Sequence, residues 1–125
     1  MPTSARDRSI LEHIVAYCCD IEDAVHRFGN NLSAFSADKA YRNACAMCIL
    51  QIGELGGHLS PEFRSSHPQM PWNEIKGMRN VMAYVYGSLS IQTTWETIEH
   101  DIPALKNFCT TVLDEDLYRK SLRNL

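Results

Sequence analysis

A chain of 125 residues, 45% hydrophobic and 22% charged, has the size and balance of one globular domain, too short for two independent cores and too apolar for a disordered tail. Its formal net charge of −3 excludes a broadly basic surface for nucleic acid and confines any RNA contact to a local cationic cleft.

The opening stretch from Met1 to Arg8 carries charges where an export signal would carry an apolar core, so neither a signal nor a membrane span is expected and the chain reads as cytoplasmic. Cysteines stand at 18, 19, 45, 48 and 109. An odd number inside helical, partly apolar segments reads as reduced thiols better than as a secreted disulfide framework.

From Asp7 to Phe28 the residues Ile10, Ile14, Tyr17, Ile21, Val25 and Phe28 recur at steps of three and four, which predicts a first helix that stops at Gly29-Asn30-Asn31. A second helix is expected after Ser36 as N-cap, with Asp38 in its first turn. It carries Tyr41, Ala44, Cys45, Cys48, Ile49, Ile52 and Leu55 on one face and ends near Gly56-Gly57. Ser60-Pro61-Glu62 opens a short connecting helix that Pro68 and Pro71 confine. A third substantial helix is predicted from about Trp72 to Tyr86, breaking around Gly87-Ser88. Ser90 can cap a fourth through Trp95 and Ile98, which Pro103 kinks or restarts as a fifth carrying Leu105, Phe108, Val112 and Leu113. No alternating strand pattern, repeat or linker intervenes. The expectation is an all-α, single-domain, up-and-down bundle of four to five main helices over residues 1–125.

On the third helix, 100° steps gather Met78, Val81, Met82 and Val85 on a core face and leave Arg79, Asn80, Tyr84 and Tyr86 outside it. An arginine, an amide and two phenols form a polar, aromatic strip. Three readings fit it: a solvated face, a dimer seam enriched in Tyr and Arg, or a site for an anion, where a guanidinium offers forked donors to phosphate and rings stack on bases.

These residues resemble the HepT-like branch of the HEPN superfamily, the toxin half of HEPN/MNT toxin–antitoxin pairs. The resemblance covers nearly the whole chain through Ile52-Gly53-Glu54, His67-Pro68 with Pro71-Trp72, Gly77-Met78-Arg79-Asn80, and Trp95 followed by Asp101-Ile102-Pro103-Ala104-Leu105. It implies a HEPN-like homodimer acting as a metal-independent endoribonuclease, without cofactor, with two copies of the motif helix facing across a cleft. The family pattern reads Arg, usually Asn, three residues, His, one residue, Tyr. Arg79, Asn80 and Tyr86 match it; Tyr84 occupies the histidine position.

That departure bears on the chemistry. Cleavage through the 2′-hydroxyl needs a group that moves protons near neutral pH, and a phenol with a pKa of about 10 is ionised only to about one part in a thousand at pH 7. RNase activity is therefore expected to be weak or absent. The resemblance further implies that a nucleotidyltransferase antitoxin neutralises the toxin by adenylylating the motif tyrosine, here Tyr86. The alternative is a non-catalytic dimeric subunit that docks a nucleotidyltransferase and contributes to nucleotide binding, and a third reading is a helical interaction protein without nucleotide chemistry.

Glu54 is a candidate to orient Arg79 from the neighbouring helix, or merely to solvate a helix end. Cys45 and Cys48 form a lone Cys-x-x-Cys with no second pair, so buried thiols account for them better than a metal does. Of the histidines at 13, 26, 58, 67 and 100, only His58 or His100 is a candidate replacement base, through the dimer. Gly53, Gly56 and Gly57 follow a helix and lack the strand and Gly-Lys-Ser/Thr of a phosphate loop.

Overall fold

A computed structural model describes the chain over residues 2–81 and 88–125, and these residues hold helices and no strand. The first helix, α1, spans Ala5–Phe28. It starts two residues before the periodicity predicts because Ser4 caps it, its hydroxyl accepting from the Asp7 N–H at 3.1 Å. Gly29, at φ 121°, ends it in a backbone conformation open to glycine, and its N–H closes on the Val25 carbonyl.

The next boundary differs from expectation. Ser36 caps nothing; it lies inside a short helix α2, Leu32–Ala37, which Asn31 opens by accepting from the Ala34 N–H at 2.7 Å. Asp38 is instead the cap of α3, Lys39–His58, accepting from the Ala40 and Tyr41 N–H groups at 2.9 and 3.3 Å. Both Asn and Asp are strong caps, and the turn-forming pair Asn30-Asn31 masked the helix it starts. The end of α3 at His58 falls one residue past the expected Gly56-Gly57, with Gly53, Gly56 and Gly57 inside the helix and the first two buried.

Ser60 caps the short α4, Pro61–Ser66, as expected, and α5 follows over Trp72–Gly77. The helix predicted from Trp72 to Tyr86 tightens at Met78–Asn80 into a 3₁₀ turn, whose cap is the Val81 N–H donating to the Met78 carbonyl; Val81 is α-helical again, and residues 82–86 of the prediction lie outside the described residues. Helix α6 covers Ser88–Glu96, which places Ser90 within it rather than before it. A π-helical turn over Thr97–Asp101 then leads into α7, Ile102–Arg123. Pro103, which can donate no hydrogen bond, sits in the first turn of α7. The widened turn before it, where the Ile102 N–H reaches the Thr97 carbonyl, carries the chain into the new helix without a break.

The long helices pack along one another, α1 lying against both α3 and α7, while α5 and the 3₁₀ turn rest on α3. One hydrophobic cluster joins Ile10, Leu11, Ile14 and Ile21 of α1 to Cys45, Ile49 and Ile52 of α3 and Ile102, Leu105 and Val112 of α7. Phe35, Tyr41 and Trp95 close one end of it, with ring centroids 5.0 to 6.4 Å apart in edge and tilted geometry. The Tyr41 hydroxyl is satisfied by donating to the Gly29 carbonyl at 2.9 Å.

A polar strap holds the segment between α3 and α5. The Asp7 carboxylate, 3% exposed, accepts from the Ser60 N–H at 2.9 Å and the Ser60 hydroxyl at 2.6 Å. Ser60 Oγ in turn accepts from the Phe63 N–H, His67 Nδ1 bonds the Phe63 carbonyl, and Trp72 Nε1 donates to the His67 carbonyl at 2.9 Å. The place where α5 begins is thereby tied to the first turn of α1.

Candidate functional site

Arg79 and Asn80 are both exposed on the 3₁₀ turn. The turn is held from the core side by Ile75 and Val81, 2% and 5% exposed, with Met78 half-buried between them. Two of the four predicted core residues of this segment, Met78 and Val81, thus face inward. The other two, Met82 and Val85, lie outside the described residues, as do Tyr84 and Tyr86.

The turn and the Ile75 side chain before it both meet the glycine face of α3. A Cβ placed on Gly53 would fall 2.3 Å from the Arg79 nitrogen and 2.8 Å from the Met78 carbonyl carbon, and one on Gly56 would fall 2.7 Å from Ile75 Cγ2. Two backbones therefore touch where an ordinary helix pair would be separated by side chains. The glycines are a packing surface, not the loop after a helix. Their spacing of three and four was the available sign, since glycine inside a helix is unfavourable unless close approach requires it.

Glu54, the next residue of α3, is exposed, and no ion pair joins it to Arg79. Among the described residues no carboxylate pairs with Arg79 at all; the ion pairs present are Arg8–Asp116, Lys106–Glu22 and Lys120–Asp116. Beside the turn runs a groove of about 360 Å³ whose wall includes Met78, Val81, Thr97 and the carboxylates of Glu74 and Asp101. That charge disfavours a phosphate inside the groove, whereas Arg79, which does not line it, is an exposed cation open to an anion, as is Lys76 on α5.

His58 ends α3 and His100 lies in the π turn, both exposed. Among the described residues no group of three or more His, Cys, Asp or Glu side chains is placed to hold a metal ion, and no helix is long and apolar enough to cross a membrane. The cysteines are free. Burial pushes the Cys18, Cys45 and Cys109 thiols up to about 12, and Cys48 up to about 11, which suits packing and not nucleophilic chemistry.

What fold and site define together is an all-α protein presenting an exposed Arg-Asn pair on a turn seated on the glycine face of a long helix. The Ribonuclease HepT-like family matches residues 14–112, and the chain belongs to that family. It is 32% identical to a protein of Caldanaerobacter subterraneus subsp. tengcongensis named as a putative RNase, over 87% of this chain and 96% of that protein. It is also 32% identical, over 58% of this chain and 66% of the relative, to a Thermococcus cleftensis protein named as a probable ribonuclease HepT. A Methanocaldococcus jannaschii protein also named as a putative RNase shares 30% identity over 79% of this chain and 80% of its own length. No solved structure matches the chain.

Proposed function

We propose that this chain is the toxin subunit of a HEPN/MNT toxin–antitoxin pair, a cytoplasmic homodimer of single HEPN-like domains descended from a metal-independent endoribonuclease. The observation that carries the reading is the exposed Arg79, without a carboxylate partner among the described residues, beside Asn80 on a 3₁₀ turn packed against α3. A guanidinium in that state can neutralise an RNA phosphate and the charge that builds up as the 2′-oxygen attacks phosphorus and the 5′-oxygen departs. The missing partner is a proton carrier: Tyr84 stands where the family places histidine, and an ordinary phenol, with a pKa of about 10, does not exchange protons near neutral pH as an imidazole does. RNA cleavage by this chain is accordingly weak or absent.

Tyr86 is the proposed site of control by a nucleotidyltransferase antitoxin. Its phenolic oxygen attacks the α-phosphorus of ATP, pyrophosphate leaves, the phenolic proton is released, and the tyrosine carries AMP. Glu54 is retained as a supporting residue, exposed on α3 next to the glycine that abuts Arg79.

Two measurements test this. Incubation with a nucleotidyltransferase antitoxin and ATP followed by intact-mass analysis should add one AMP, abolished by Tyr86→Phe; an unchanged mass in a competent reaction removes the control step. Tyr84→His should confer RNA cleavage with a pH dependence set by an imidazole pKa of about 6.5. The identity of Tyr84 also favours a second reading, a dimeric subunit that binds nucleotide and docks the transferase without cutting RNA; partner binding with no cleavage even after Tyr84→His would select it.

A further inference from the structure

The contact between Gly53 and the Arg79 turn is closer than helix packing alone demands. Around Gly53 the nearest atoms to an added methyl are all main chain: Arg79 N at 2.3 Å, the Met78 carbonyl carbon at 2.8 Å and Arg79 Cα at 3.0 Å. Main-chain atoms cannot rotate aside as a side chain can. The same face supplies two internal comparisons. At Gly56 the methyl would meet a branch of Ile75 at 2.7 Å, and at Gly57 it would meet Lys76 Cγ at 3.5 Å, an ordinary contact. The demand for glycine is therefore steepest at the residue that touches Arg79.

We infer that Gly53 is a positioning residue for Arg79, its bare Cα setting the height and direction from which the guanidinium reaches a phosphate. This rests on the reading of Arg79 as the group that contacts RNA. Ile75 and Val81, on either side of the turn in sequence, are buried at 2% and 5% exposure and anchor its two ends in the core. Relieving the overlap at the Arg79 nitrogen from 2.3 Å to an ordinary 3.4 Å moves that main chain by about 1 Å. A forked guanidinium pairs with phosphate directionally, so a shift of that size at its root turns the fork out of register.

The test measures binding of a fluorescent single-stranded RNA to the full chain and its Gly53→Ala, Gly57→Ala, Arg79→Ala and Gly53→Ala/Arg79→Ala variants. Arg79→Ala should weaken binding about tenfold, as loss of a charge-assisted contact does. Gly53→Ala should match it within about twofold, Gly57→Ala should bind as the unaltered chain does, and the double variant should be no weaker than Arg79→Ala alone, since Gly53 acts through Arg79. Unchanged binding by a folded Gly53→Ala, or a double variant showing the product of both losses, overturns the assignment. If Gly53→Ala does not fold, native-state hydrogen exchange of the unaltered protein decides. Amides 78–81 should open only together with the part of α3 around Gly53, with the same denaturant dependence. Exchange of the turn by its own denaturant-independent opening refutes the seat. Should the unaltered chain fail to bind RNA, or Arg79→Ala bind equally well, the proposed function falls while the exchange result still decides the role of Gly53.

Discussion

Replacing Asp7 by alanine should weaken the whole route by which α1 locates α5. The Asp7 carboxylate is 3% exposed and accepts hydrogen bonds of 2.9 and 2.6 Å from the Ser60 N–H and hydroxyl. A hydrogen bond to a charged group contributes roughly 1.5–3 kcal/mol, and two that share one residue do not add fully, so the loss is about 3 kcal/mol. Ser60 Oγ still accepts from the Phe63 N–H, which limits the damage at the α4 cap. Asp7→Asn should cost about 1 kcal/mol, because an amide oxygen can keep the backbone N–H while its NH₂ can donate to the serine hydroxyl. Urea unfolding checks both: with a slope of about 2 kcal/mol per molar, the alanine variant should lose about 1.5 M in midpoint. An alanine midpoint within about 0.3 M of the unaltered chain, below about 0.6 kcal/mol on the same slope, would show that the carboxylate does not hold the strap.

Trp72→Phe removes the Nε1 bond to the His67 carbonyl and keeps an aromatic ring against Phe63 and Phe108, so it should cost about 1 kcal/mol in urea unfolding with little change in slope. Arg8→Ala leaves the Asp116 carboxylate, 4% exposed, with only Lys120 at 3.9 Å; it should destabilise by about 1–3 kcal/mol, against about 0.5 kcal/mol or less for Lys120→Ala, and equal losses would contradict the assignment of Arg8 as the main partner. The buried thiols give a pH dependence. With folded values of about 12 for Cys18, Cys45 and Cys109 and an unfolded value near 8.5, stability is fully present below about pH 8.5 and falls as the pH rises towards 12, because only the unfolded chain can ionise them freely. Thermal midpoints across pH 7–10.5 should show that fall, Cys109→Ala should flatten it, and a thiol reagent at pH 8 should modify Cys18, Cys45 and Cys109 only after unfolding.

Much of the helical order was legible because amphipathic spacing reports burial directly. Ile10, Ile14 and Ile21, and Tyr41, Cys45, Ile49 and Ile52, are core residues as the periodicity predicts. Ala44 is exposed despite its place in that pattern, and Leu11, Cys18 and Ala46 are buried without having been picked, since a helix clamped between two neighbours buries more than one stripe. Boundaries were less legible. Asn31 and Ser36 are both competent caps in isolation, and Phe35, which packs on Tyr41 and Trp95, decides that the chain is already helical before Asp38. The tightening at Met78 had no local signature, because it answers to a distant residue, Gly53.

That dependence separates the two halves of the proposed site. Arg79 and Asn80 belong to a turn that packs on Gly53 of α3, with Ile75 and Val81 buried before and after it. The proton carrier, by contrast, is a matter of side-chain identity alone: phenol and imidazole differ in pKa by about 3.5 units, a difference that packing around Arg79 cannot supply. A chain of this family can therefore exchange its base for a tyrosine while keeping the anion-facing turn intact. On the proposed function, binding to RNA and cleavage of RNA are then separable properties of one fold, the first assigned to Arg79 on its glycine seat and the second to the residue at position 84.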